Sequence, residues 1–183
     1  MNALIGYSHV IAYFAGGVGL TLRGLLHSSP LVVVFFGVAL CVIAACTPKN
    51  ISRPLLVLYL VFIAYMTLLF REPGRGYPVP PPFWSYQRFF YNKYLRREIL
   101  NNIWLFIPLG ALLGRLFPRK RFIFFIPTLI STAIEASQYF FGLGWCEFDD
   151  VLSNTLGGII GIAVYYVLSY LRRRRRSKSN TLP

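Results

Sequence analysis

Charge is scarce in this sequence, and acidic charge most of all. Of its 183 residues 14% are charged, with six Asp or Glu against 19 Lys or Arg. A soluble domain carries about a quarter charged residues, so the composition excludes a substantial soluble domain. Histidine is nearly absent: His9 and His27 are the only two. Both lie far along the chain from the polar clusters below, which argues against a Ser-His-Asp triad or a His-ligated zinc. Cys41, Cys46 and Cys146 form neither a CxxC pair nor an even-numbered disulfide framework. No P-loop or GxGxxG fingerprint occurs, which argues against nucleotide-driven work.

What the chain has in abundance is apolar residues, 56% of the total, at a mean hydropathy of +0.55. They come in blocks, where a soluble helix would show a stripe. A bilayer core needs about 20 apolar residues per helix. Six blocks meet that need: Ala3–Leu22, Pro30–Cys46, Pro54–Phe70, Ile99–Phe117, Phe122–Phe141 and Val151–Leu171. The first is Gly-rich around Gly16, Gly17 and Gly19, and no Lys or Arg precedes it, so it fits a cleaved signal peptide poorly. The expected fold is all-α, a polytopic transmembrane bundle of six spans. Residues 1–53 hold two amino-terminal spans and 54–171 a four-span core with an extracytoplasmic loop at 71–97. Residues 172–183 form a basic tail.

A net charge of +13 would suit nucleic acid on a soluble protein. Here the basic residues sit between and after the spans, where they set topology and meet anionic lipid. With a cytoplasmic amino terminus, Lys49, Arg53, Arg115, Arg119, Lys120, Arg121, Arg172–Arg176 and Lys178 fall inside. Arg23, Arg71, Arg75, Arg88, Lys93, Arg96 and Arg97 fall outside. The loop before the last span holds Glu147, Asp149 and Asp150 and no basic residue. Both termini are therefore expected in the cytoplasm of a cell-membrane protein whose partner is lipid and not nucleic acid.

This map places the polar residues of several spans at one depth. Glu98, Asn101 and Asn102 open the fourth span, Glu135 and Gln138 approach the end of the fifth, and Asp149, Asp150 and Asn154 open the sixth. Arg71 closes the third on the same outward side. An ionisable group at the bilayer centre costs about 2.5–3.5 kcal/mol or more, so such groups persist where they pair or line a wet cavity. Glu135 and Gln138 are three apart, and Asp150 and Asn154 four, so each pair shares a helix face. Converging carboxylates repel, which raises a pKa or calls for a cation; Arg71, Arg96 and Arg97 are the available counter-charges. Two structural readings compete with a ligand site. The polar residues would fix helix register, and Asp149 and Asp150 would cap the sixth helix.

Gly110-x-x-x-Gly114 and Gly157-x-x-x-Gly161 allow close helix approach. Pro108 and Pro127 are expected to kink or unwind their spans. The 71–97 loop combines Pro78, Pro80, Pro81 and Pro82 with Phe83, Trp84, Tyr86, Phe89, Phe90, Tyr91 and Tyr94. It reads as an interfacial aromatic belt in preference to a ligand lid.

Four ordered pieces resemble the VanZ-like family, small membrane proteins named for a teicoplanin-resistance determinant of Gram-positive bacteria. They are Tyr65-Met66-Thr67-Leu68-Leu69-Phe70-Arg71, Asn101-Asn102-Ile103-Trp104-Leu105-Phe106-Ile107-Pro108-Leu109-Gly110, Ile134-Glu135-Ala136-Ser137-Gln138, and the run Asp149-Asp150-Val151-Leu152-Ser153-Asn154-Thr155-Leu156-Gly157-Gly158. The likeness runs from about Tyr59 to Tyr166. One departure stands out. Where the family has an Arg shortly before the Asp-Asp pair, this chain has Gly142-Leu143-Gly144-Trp145-Cys146. The resemblance implies low-level resistance to lipid-bearing glycopeptide antibiotics.

Three functions are compatible with these residues. An outward polar site binds an amphiphile, either a glycopeptide antibiotic or a lipid-linked cell-wall intermediate, and alters its access. Alternatively, paired carboxylates act on such a lipid as acid and base, or hold a divalent cation for the purpose. A small transporter ranks third, because the polar residues crowd one face and no inverted repeat is evident. Binding is preferred to catalysis, and the sequence demands no cofactor.

Overall fold

The structure is a computed structural model that describes Ala39, Val42, Ile43 and residues 47–69, 79–143 and 146–179. The expected span Ala3–Leu22, most of Pro30–Cys46, and Arg71 lie outside those residues. Among the described residues the fold is entirely helical. Helix α1 is Lys49–Ala64 and runs on as a π-helical turn, Tyr65–Leu69. A short α2, Trp84–Gln87, lies in the loop before the 24-residue α3, Lys93–Leu116. A 3-10 turn, Arg121–Phe124, leads into α4, Ile126–Phe141, and α5 spans Phe148–Ser179.

Three segments are long and apolar enough to cross a bilayer: Lys49–Leu68, Lys93–Leu116 and Phe148–Arg175. They match the third, fourth and sixth expected spans. The fifth differs. Its helix α4 has 16 residues, about 24 Å at 1.5 Å per residue, and the Arg121–Phe124 turn makes up the start of the expected block. The outward faces are apolar, with Val57, Leu58, Val61, Phe140 and Phe141 all exposed. In water that would be a liability; facing lipid it is the expected surface of a membrane helix.

The core is built around α3. Every residue from Phe106 to Gly114 is buried there, against Tyr59 and Ile63 of α1, Ile123, Ile134 of α4 and Ile162 of α5. Asn92 starts α3 by accepting the backbone N–H groups of Tyr94 and Leu95 at 2.9 and 3.3 Å, an ordinary amino-terminal cap. Helix α3 continues through Pro108. Pro108 offers no N–H to the turn before it, and in that turn the Tyr59 hydroxyl donates to the Leu105 carbonyl at 2.8 Å. Pro127 stands in the first turn of α4, where a missing N–H costs nothing. It starts that helix and does not interrupt it.

Helices α3 and α5 meet along their glycines. A Cβ at Gly157 would strike the Ile103 carbonyl, one at Gly161 the Ile107 carbonyl, and one at Gly110 the Gly158 carbonyl. A Cβ at Gly114 would lie 2.8 Å from a Tyr165 ring carbon. The two GxxxG runs therefore face one another, and each gives the close helix approach its spacing predicts. The partners climb together along both helices, so α3 and α5 are parallel. Helix α4 runs back between their ends and stops at Gly142, whose φ of 63° suits glycine. The Leu143 N–H closes that turn on the Gln138 carbonyl at 2.8 Å.

Candidate functional site

The antiparallel return of α4 brings the end of α1, the end of α4, the start of α5 and the 79–92 loop to one end of the bundle. Asp149, 1% exposed, ties the loop down. One carboxylate oxygen accepts the Phe83 N–H at 2.6 Å. The other accepts the Ser85 N–H at 2.9 Å and the Ser85 hydroxyl at 2.6 Å. Phe83 holds φ at 66°, a left-handed conformation unusual for a bulky residue. Charge-assisted bonds to Asp149 therefore hold a strained turn.

Two neighbouring contacts reinforce the clamp. The Trp84 indole N–H donates to Glu147 Oε2 at 3.1 Å, and the Tyr86 and Ser153 hydroxyls lie 2.7 Å apart. Burial raises the Tyr86 pKa above its usual value; the Ser153 hydrogen bond opposes this, and Asp149 and Asp150 add to the rise. The Asp149 carboxylate thus binds the loop from the first turn of α5, where an acidic residue also suits the helix dipole.

Beneath the clamp lies a polar seam between α4 and α5. Glu135 is buried, and its Oε2 accepts the Glu147 N–H at 2.9 Å. Asn154 Nδ2 donates to the Ser131 hydroxyl at 2.8 Å, and Thr155 donates to Thr128 at 3.1 Å. Gln138 Nε2 reaches across to the Thr67 carbonyl at 3.1 Å. That carbonyl belongs to the final turn of the α1 extension, where helical partners run out. Two acceptors in this seam, Gln138 Oε1 and Asn154 Oδ1, are buried and find no donor among the described residues.

Of the residues singled out from sequence, Glu135, Gln138, Asp149 and Asn154 join this connected region. Asp150 is half-buried beside Asp149. Asn101 and Asn102 are half-buried on α3 and stand outside the hydrogen-bonded seam, while Glu98 is exposed. Thr67, Ser85, Tyr86, Ser131 and Glu147 belong to the site and were not singled out as site residues. Glu147 carried a signal, since it shares the unbalanced acidic loop. Ser85 and Tyr86 were hidden in a segment whose aromatics read as a membrane belt.

Cys146 stands next to this acidic corner. Burial and then the negative charge of Glu135 push its thiol above the ordinary range. Among the described residues no three His, Cys, Asp or Glu side chains gather into a metal-binding set.

A family model described as VanZ/LLP1 matches residues 56–169, from the middle of α1 through most of α5, and takes in all of this seam. The chain belongs to the VanZ-like family. It is also 32% identical over 128 residues to Protein VanZ of Enterococcus faecium, covering 64% of this chain and 74% of that protein. No solved structure matches it. Membership and the three apolar helices together identify a helical membrane protein of VanZ type.

Proposed function

We propose that this VanZ-like protein binds the polar part of a lipid-bearing amphiphile in the seam under the 79–92 loop, on the outer face of a six-span bundle. The amphiphile is a teicoplanin-type glycopeptide or a lipid-linked cell-wall intermediate of Gram-positive bacteria, and binding alters its access to its target. One observation carries the reading. Gln138 Oε1 and Asn154 Oδ1 are buried acceptors without a donor among the described residues. A buried unsatisfied acceptor costs about 1–3 kcal/mol, which a ligand hydroxyl or amine would recover. Glu135 in the same seam favours ligand donors, and the exposed Phe83, Phe90 and Tyr91 of the loop suit an inserted acyl chain.

The test is protection of a susceptible Gram-positive host. The protein should reduce sensitivity to a lipoglycopeptide more than to a glycopeptide without the acyl chain. The double variant Ser131→Ala with Asn154→Leu removes both partners of one buried bond, which is nearly neutral for stability. It should abolish protection at unchanged membrane abundance; full protection by this variant would refute the site. A second reading is catalysis on a lipid-linked substrate by paired carboxylates, since Glu135 and Asp149 are both buried at this end of the bundle. Turnover of such a lipid by purified protein, lost in Glu135→Gln, would replace binding with catalysis.

A further inference from the structure

The opposite end of the bundle holds a second concave site with the reverse chemistry. A half-open cleft of about 670 Å³ lies between the start of α1, the turn after α3 and the second half of α5. Cavities of about 300–1,000 Å³ are typical of small-molecule sites. Five cations line it, Lys49, Arg115, Arg119, Lys120 and Arg173, with Tyr165, Tyr166 and Tyr170 between them. No acidic residue lines it among the described residues; the described acids lie at the start of α3, the end of α4 and the start of α5. Its walls are fixed. Arg115 Nε donates to the Thr47 carbonyl at 2.9 Å, and the Tyr166 hydroxyl donates to the Pro118 carbonyl at 2.7 Å. Arg115 retains its terminal N–H groups as further donors.

Basic residues at the ends of spans are ordinarily topology signals that need no cavity. Here cations from three separate stretches of chain surround one volume. Five like charges in one concave space repel each other unless an anion joins them. Tyr165 and Tyr170 carry further hydroxyls and all three tyrosines offer apolar rings, a combination that suits the boundary between head groups and acyl chains.

We propose that this cleft binds the phosphate head group of an anionic phospholipid from the leaflet at the basic end of the bundle. The cleft is separate from the polar seam, so the proposal stands whether or not the seam binds an antibiotic. Arginine forks and tyrosine hydroxyls engage the phosphate oxygens, and the lipid tails leave through the open side beside the tyrosine rings. The site ties one lipid to α1, α3 and α5 together.

The full chain is reconstituted in phosphatidylcholine vesicles doped with phosphatidylglycerol carrying a photoreactive head group, and cross-linked peptides are mapped. Cross-links should concentrate on residues 115–120 and 165–173, and unlabelled phosphatidylglycerol should suppress them. Removing two cleft charges, Arg119→Gln with Arg173→Gln, should lower the yield about twenty-five-fold, roughly fivefold per charge. Arg119→Lys with Arg173→Lys should retain most of it. Arg174→Gln with Arg175→Gln removes equal charge from the exposed helix beyond the cleft and should have little effect. An equal loss in that control, or cross-links spread evenly along the basic tail, would overturn the cleft as a site. Equal labelling by a zwitterionic probe would do the same, and equal suppression by inorganic phosphate would overturn the lipid as its occupant. Should the neutral variant fail to insert, the map and competition on the parent protein decide the matter.

Discussion

Ser85 gives both its backbone N–H and its hydroxyl to one carboxylate oxygen of Asp149, at 2.9 and 2.6 Å. The two residues are 64 positions apart, and the contact joins the 79–92 loop to the first turn of α5. Asp149→Ala should therefore release residues 79–92 while leaving the bundle assembled. Leaving buried donors without a partner costs about 1–3 kcal/mol each, so several kcal/mol of local stability are expected to go. Hydrogen exchange of the loop in the reconstituted protein should accelerate sharply, with α3 amides unchanged. Ser85→Ala removes only the hydroxyl and should give an intermediate effect.

The glycine contact between α3 and α5 makes a separate prediction. Gly157→Ala places a methyl group on the Ile103 carbonyl, and Gly161→Ala places one on the Ile107 carbonyl. Overpacking of this kind costs about 1–3 kcal/mol. Each variant should lower the thermal midpoint of the detergent-purified protein, and the pair together more than either. Ala163→Leu, on an exposed part of the same helix, should leave it close to the parent value.

Cys146 offers a chemical readout of the acidic corner. Burial and then Glu135 raise its pKa, so less of the reactive thiolate exists near neutral pH. Alkylation by iodoacetamide, followed by peptide mapping to separate Cys146 from Cys41 and Cys46, should be slower than for an unstructured thiol. Glu135→Gln removes the second cause and should speed the reaction at pH about 8 by a few-fold, with no difference after denaturation. An unchanged rate would show that Glu135 does not act on the thiol.

Helix type and position were legible because apolar blocks of bilayer length have few other uses. The glycine contact was legible from spacing alone, since two small residues four apart mark one face of a helix. At the site, Glu135, Gln138, Asp149 and Asn154 were legible because polar groups in an apolar span are expensive. Asn101 and Asn102 satisfied the same rule and do not join the seam, because depth is set by sequence position but helix rotation is not. Glu98 lies on an exposed part of α3 for the same reason. The tie between the Phe83–Tyr86 segment and Asp149 was not legible. It depends on two backbone N–H groups, and backbone donors leave no mark on composition. The shortness of α4 was concealed too, because Arg121–Phe124 is apolar enough to extend the block while folding as a separate turn.

The parallel course of α3 and α5 has a consequence for how the chain is made. Two helices pointing the same way cannot be joined by a short hairpin, so the chain must double back through α4 before they can meet. During synthesis the glycine face of α3 therefore enters the membrane without its mate and waits for more than forty further residues. The close α3–α5 packing seen among the described residues can form only after α5 is made, and it then joins the polar end to the basic end.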